Sequence, residues 1–307
     1  MTKYILSCLF LLATIINPRV EMVSPWLVVP PGICNGSTNA QPILQNLFEQ
    51  AEAKNETIAM TPGACFLASP IQVTAPVNVV GCGVHCSELV TTIGQPILQF
   101  NHVQTWPVTH AGTFSDIGID CDWGGTTQQG SGIDLTDTIG MTFRDMSINN
   151  CANSVIFATN TSWDERNVFD HITLSNFSAG FLFQGPFTFG HNWLLNIEYN
   201  TGPGDALVRL AGYNTAVFNL TLTANGNMSG GGCVFDLTGG QALVTENNIF
   251  VMAESTGGDV GFCGGPNGDP TFTPWWGAAS AVVGHGVVSI SGGTPQSGPF
   301  SAFQFVP

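Results

Sequence analysis

One short shape recurs through the middle of the chain: a polar residue, a large apolar one, a variable one, a second apolar one and usually a polar one. It reads Asp116-Ile117-Gly118-Ile119-Asp120, Asp145-Met146-Ser147-Ile148-Asn149, His171-Ile172-Thr173-Leu174-Ser175, Asn196-Ile197-Glu198-Tyr199-Asn200 and Asn219-Leu220-Thr221-Leu222-Thr223, with a looser copy at Asn248-Ile249-Phe250-Val251-Met252. The first apolar positions are 29, 26, 25, 23 and 29 residues apart. Irregular spacing in the twenties fits coils of one solenoid better than copies of a domain. Within each copy the period is two, so the apolar pair points one way and the residue between them the other, as in a strand. One such strand cannot bury its apolar side alone. Parallel copies stacked about 4.8 Å apart make an apolar column inside and a polar face outside.

A second strand follows each first one: Gly132 to Leu135, Ser154 to Phe157, Gly180 to Phe183, Val208 to Leu210 and Val234 to Leu237. Two strands per coil at one register predict a parallel β-helix. The competing all-β readings, a sandwich or a propeller, need hairpin turns between neighbouring strands. Because the repeat runs through most of the 307 residues, one elongated domain over 21–291 is expected, with Ser280 to Ser291 supplying one or two last strands. The tail 292–307 is expected to pack on the coil or on a neighbouring subunit, a homotrimer being one such assembly.

Six Lys and Arg against 21 Asp and Glu leave a formal charge of −15. Nucleic acid and anionic membranes both need clustered cations, so neither is an expected partner. A neutral glycan, or an acidic one held through metal ions, fits the charge. Residues 1–20 read as a secretory signal peptide: Lys3, an apolar run from Ile5 to Ile16, then Asn17-Pro18. The run is too short for a comfortable membrane span. The alternative is an N-terminal capping segment. Cysteine usage agrees with export: Cys34 and Cys65, Cys121 and Cys151, and Cys233 and Cys263 lie 31, 30 and 30 residues apart, about one coil, which places them on adjacent rungs within disulfide reach. Cys82 with Cys86 completes four pairs, and a zinc site is the weaker alternative.

Residues 39–53 carry Ile43, Leu44, Leu47, Phe48 and Ala51 on one face of an amphipathic helix, with Thr38 or Asn39 as N-cap. Then come Thr57-Ile58-Ala59-Met60, the turn Thr61-Pro62-Gly63, Cys65-Phe66-Leu67, Pro70-Ile71-Gln72-Val73 and Val77 to Gly83. This succession resembles the pectin-lyase-like superfamily of right-handed β-helices, in which a helix caps the open end of the coil and shields its strand edges. The resemblance implies a single-stranded right-handed parallel β-helix and leaves activity open among lyases, hydrolases, epimerases, tailspikes and silent adhesins.

Several residues are candidates for chemistry. Asp116 and Asp145 precede strands on neighbouring rungs, in a column continued by His171, Asn196, Asn219 and Asn248. Two carboxylates about 5 Å apart repel by about 3 kcal/mol at an effective dielectric of about 20, enough to raise one pKa by roughly two units, and a retaining glycosidase sets its acid and nucleophile at about that separation. The plain alternative is a ladder of turn-capping Asp and Asn. Asp120 and Asp122, with Asp134 and Asp137, gather four carboxylates on one coil, as an acid and base pair, a calcium site or solvated loop acids. An outward column Asp134, Ile156, Leu182, Arg209, Asp236 places Arg209 beside Asp236 as an ion pair bordering a groove. Glu198 is a carboxylate at the outward centre of a first strand, with Thr173 and Thr221 expected beside it. Trp275 and Trp276, in a Gly-rich loop, are candidates for stacking on sugar rings or for closing the core.

Gly284-His285-Gly286 looks like the Gly-His-Gly of polygalacturonases but lacks the accompanying Asp pair and Arg-x-Lys, and is read as a Gly-rich strand. The reading that follows is a secreted or virion-surface protein that binds a polysaccharide or cell-surface glycan and cleaves it with carboxylates, without a cofactor. The alternatives are a binding-only adhesin or tailspike-like protein, and a calcium-dependent lyase.

Overall fold

The computed structural model describes residues 26–104, 112–186, 188–200, 202, 204–211, 216–228, 232–236, 242–244, 249–255, 260–263, 281–283 and 286–291. The expected leader, the tail, Trp275, Trp276 and His285 lie outside them.

Every strand pairing among the described residues is parallel, in a 13-stranded, an 8-stranded and a 5-stranded sheet. The chain is a parallel β-helix, and the hairpins of a sandwich or propeller do not occur among these residues. The second strands form the 8-stranded sheet, for example Ser131–Thr136 on Asn153–Ala158 on Ala179–Gln184. The expectation of two strands per coil needs correction. A coil presents more than two faces, because a short third strand builds the 5-stranded sheet and because the first strand is long and bent: Met141–Asn149, Val168–Ser175 and Trp193–Asn200 turn at Asp145, His171 and Asn196, with φ of 52°, 54° and 52°. One coil earlier the bend separates Gly112–Ser115 from Gly118–Asp120, and Asp116 has φ 60°. Left-handed φ is disfavoured for most side chains and tolerated best by Asn, Asp and His, the residue types in this column. The polar residue that opens these four copies therefore turns the chain, and the apolar-x-apolar triplet after it is the post-bend arm.

The two inner positions of that arm are buried in every copy that keeps the register: Ile117, Met146, Ile172 and Ile197, and Ile119, Ile148, Leu174 and Tyr199, are at most 3% exposed. Leu220 is buried too, but its copy is displaced. Leu222 pairs with Leu194 on the pre-bend arm, and a register shift follows before Ile197 meets Ala224. Asn219 (φ 53°) instead continues a different left-handed corner, that of Arg166 (58°) and His191 (52°), after the short third strands Asp164–Glu165, Thr188–Gly190 and Ala216–Phe218. Its carboxamide Nδ2 lies 2.9 Å from His191 Nε2.

The interior is packed with phenylalanine. Phe143 stacks on Phe169 across one rung at 4.6 Å between ring centroids, Phe157 stacks on Phe183 at 4.4 Å, and edge contacts such as Phe157–Phe169 join the two columns. Burying each such ring contributes about 1.5–3 kcal/mol.

The capping helix spans Gln41–Lys54. Its N-cap is Ala40 rather than Thr38 or Asn39, because Pro42 sets the first turn and Asn39 Oδ1 accepts N–H bonds from Gln41 and from Ala68 instead. Leu44, Phe48 and Ala51 are buried, Leu47 packs partly, and Ile43 faces solvent at the stripe's edge. Cys34–Cys65, Cys82–Cys86 and Cys121–Cys151 are disulfides, with Cα separations of 3.9, 5.4 and 5.0 Å. Cys233 is also disulfide-bonded, and the side chain of Cys263 lies outside the described residues. Among the described residues no helix is long and apolar enough to cross a membrane.

Candidate functional site

The carboxylates singled out by sequence do not meet in one groove. Asp116 and Asp145 are adjacent bend residues, bracketed by the pairs Ser115–Arg144 and Gly118–Ser147. Asp120 and Asp122 sit at the next corner, where they close its turn. Asp120 Oδ1 accepts from the Asp122 N–H and from Asn150 Nδ2, while the Asp122 carboxylate accepts from the Thr127 N–H and from Gln129 Nε2. Asp134 lies on the other side of the coil, on the outer face of the 8-stranded sheet, and Asp137 is buried at its end. The expected gathering of four carboxylates fails because one coil distributes these positions over three faces. Among the described residues no group of three or more His, Cys, Asp or Glu is arranged to hold a metal ion.

The outer face of the 8-stranded sheet is closed on itself. Gln72 Nε2 donates to Gln99 Oε1, and Asn101 Nδ2 donates to Gln72 Oε1. Arg209 Nε lies 2.9 Å from Asp236 Oδ2 in the expected ion pair, and Leu182 is 8% exposed although it points outward. Asp134 stands between Gln99 and Ile156, and burial lifts its carboxyl to about 6, with Ser131 holding it back. At the sheet's end Asp137 accepts N–H bonds from Asn160, Thr161 and Ser162 and the Thr161 hydroxyl. Burial raises its carboxyl, these donors outweigh burial, and the net direction is down. Asp164, fully buried, is raised well above the ordinary value by burial first and by the Asp137 charge second.

The outer face of the post-bend arm is open. One column of outward positions runs Ala64, Glu88, Gly118, Ser147, Thr173, Glu198, Asn225 in unbroken register. Glu198 therefore has Thr173 and Asn225 as neighbours, and the expected Thr221 is displaced with its copy. Two clefts open on this column.

The first, of about 550 Å³, is lined by Cys34, Asn35, Gly36, Pro62, Gly63, Ala64, His85, Cys86, Glu88 and Trp123. Its walls are stapled: Cys34 and Cys86 each belong to a disulfide, and Cys121–Cys151 anchors the turn that carries Trp123. The Trp123 N–H donates to the Thr91 carbonyl, and the indole, 38% exposed, leans over Gly36, where an added Cβ would lie 3.5 Å from Nε1. The Cys82–Cys86 loop crosses close above the strand, since a Cβ on Gly118 would meet the Val84 carbonyl oxygen at 2.2 Å and the Glu88 Cγ at 3.0 Å. Burial raises the Glu88 carboxyl; His85 pulls it down and Asp120 pushes it further up, for a net rise. A carboxyl shifted toward its protonated form beside an exposed aromatic plate is the kind of group that can donate a proton to a leaving oxygen on a stacked sugar.

The second cleft, of about 350 Å³, is lined by His171, Asn196, Ile197, Glu198, Thr223, Ala224 and Asn225. It holds two of the residues expected from sequence, His171 and Glu198. Glu88, His85 and Trp123 were not among the sequence candidates. Glu88 had a usable signal, an acid at the outward centre of the alternating run Ser87-Glu88-Leu89-Val90.

No protein-family model matches the chain, and no curated protein does. Among solved structures it is similar to ORF18 of Geobacillus virus E2, at 13% identity and TM-score 0.45 over 84% of this chain and 60% of that one. It is similar to the A-module of the Azotobacter vinelandii mannuronan C-5 epimerase AlgE4, at 11% identity and TM-score 0.39 over 87% and 97% of the two chains. A third similarity is to the catalytic domain of a GH87 α-1,3-glucanase, at 10% identity and TM-score 0.39 over 91% and 68%. The chain thus spans 60% of the length of the viral protein.

Proposed function

We propose that this β-helix binds a neutral polysaccharide on the outer face of its post-bend arm and hydrolyses it there, with Glu88 as the proton donor. The observation that carries the reading is the disulfide-walled cleft in which exposed Trp123 stands beside a carboxyl kept above the usual range. Asp120 is the second carboxylate. It pairs with Val90 in the ladder, on the same outer face and diagonal to Glu88. Sheet spacing puts the Cα atoms of such a diagonal about 8 Å apart, and in this reading Asp120 is the base that activates a water.

A second reading, binding without cleavage, is favoured by the engagement of Asp120 Oδ1 in closing its own turn. The two separate when the full chain is incubated with a panel of neutral polysaccharides. Hydrolysis predicts new reducing ends from the wild type and a loss of about 10²-fold or more in Glu88→Gln, the scale of a general acid's contribution. Retention of glycan with no new ends would leave only binding, and an unsaturated product would mean elimination. Trp123→Ala should weaken retention about tenfold or more under either reading. Failure of the wild type to retain any of the panel would overturn both.

A further inference from the structure

We infer that the second cleft is a separate binding site for the hydroxyl-bearing edge of a short neutral glycan, so that one molecule holds two glycans independently; the choice of a glycan as ligand rests on the reading above. Glu88 and Glu198 share one outward column four rungs apart, through Gly118, Ser147 and Thr173. At about 4.8 Å per rung the separation is about 19 Å. The column is covered between them: a Cβ on Gly118 would stand 2.2 Å from the Val84 carbonyl oxygen, and Ser147 is 5% exposed. A ligand in one cleft therefore cannot run along the column into the other. The surface opens again at Thr173 and Glu198, both exposed.

The second cleft is built differently from the first. Its apolar residues, Ile197 and Ala224, are buried beneath it, and among the described residues no Trp, Tyr or Phe lines it. With no plate to stack on, it can read the edge of a sugar ring but not its face. Polar groups converge on that edge. His171 is fixed at its bend by Asp170, whose Oδ1 lies 2.9 Å from the ring Nδ1 and also accepts from Asn196 Nδ2 at 2.7 Å. That leaves Nε2 as the ring nitrogen available to a ligand. Three steps from Leu194 to Ile197 are matched by two from Leu222 to Ala224, so Thr223 alone stands opposite Leu195 and Asn196. Such an irregularity re-aims side chains near binding sites. Here Thr223 Oγ1 accepts the Asn196 backbone N–H at 2.7 Å, which leaves its hydroxyl proton to be donated outward. Glu198 and Asn225, paired in register and both exposed, place a carboxylate and a carboxamide side by side. Such a pair can accept from and donate to neighbouring hydroxyls at once. Among the described residues no Lys or Arg lines the cleft, and Glu198 repels anionic sugars such as uronates.

Native mass spectrometry of the full chain saturated with short linear gluco- and manno-oligosaccharides tests this, with the ¹⁵N signal of the His171 ring as a local probe. The wild type should take up two equivalents. Trp123→Ala should keep one, and that one should still shift the His171 signal. Glu198→Ala, and independently Asn225→Ala, should also keep one but leave the His171 signal unmoved. The affinity of each surviving site should stay within about twofold of its wild-type value, as expected of sites with no shared partners. All three are surface changes, and a thermal melt checks that each variant is folded. A single equivalent that survives both Glu198→Ala and Asn225→Ala would overturn the second site while leaving the first cleft intact. A single equivalent lost in all three variants would overturn their independence. A single equivalent lost in Glu198→Ala but kept in Trp123→Ala would support the second site and overturn the reading of the first cleft, and no uptake by the wild type would overturn both.

Discussion

The same coils present two outer faces, and they differ in where their polar groups point. On the 8-stranded sheet, Gln72, Gln99 and Asn101 bond one another, Arg209 bonds Asp236, and Leu182 is covered. On the post-bend arm, Glu88, Trp123, His171, Glu198 and Asn225 line hollows. One face uses its side chains for cohesion. The other turns a carboxylate, an indole and a carboxamide toward open hollows, which is why the candidate site is placed there rather than on the opposite side.

Three substitutions on the closed side test the contrast, and each should register in stability. Asp137→Ala should cost the most, about 3–5 kcal/mol by urea unfolding at neutral pH, since several buried donors lose a charged acceptor. The Asp137 carboxyl is held below its ordinary value, so the stability it supplies is present above the unfolded pKa of about 3.9 and disappears as pH falls through the folded pKa. The gap between wild type and variant should therefore close in acid, and a gap that persists there would remove the charge from the explanation.

Asp134→Asn should act in the opposite direction. With a folded value of about 6, ionised Asp134 costs the fold nothing below about 3.9, progressively more up to about 6, and a constant amount above it. The variant should gain about 3 kcal/mol at mildly alkaline pH and almost nothing at pH about 4. Equal stability of the two chains across that window would show that the carboxyl is not desolvated. Arg209→Ala should have the smallest effect, a loss of about 1 kcal/mol that shrinks in high salt, because the pair with Asp236 keeps some contact with solvent. Loss of glycan retention in any folded member of this set would mean that the closed face is a site as well.

The interior was legible because a period of two leaves no ambiguity about which of two neighbouring residues faces in. Ile117, Met146, Ile172 and Ile197 all lie where that period puts them. The Asn219 copy misled for a physical reason. At its own corner Arg166 and His191 are followed by the buried Asn167 and Asn192, but Asn219 is followed by the buried Leu220, so its five residues read like a bend triplet and do not say which corner they belong to. Asn219 follows Arg166 and His191, not Asp145 and His171. The first cleft was hidden because its parts come from unrelated turns: Glu88 follows a disulfide-closed loop rather than a bend residue, and Trp123 rides on a turn held by Cys121–Cys151 and by the bond from its backbone N–H to the Thr91 carbonyl.

The single-residue bend has a consequence for how such a molecule can change. Deleting or adding one residue beside Asp145 or His171 would invert the inside-outside parity of everything up to the next corner and expel Met146 or Ile172 into water. Length can vary only elsewhere, as it does in the turn after Cys121 that carries Trp123. The stack is thus tolerant to remodelling along the rim that overhangs the clefts and intolerant at the hinge line beneath, so new ligand preferences can be grafted onto the rim without refolding the coil.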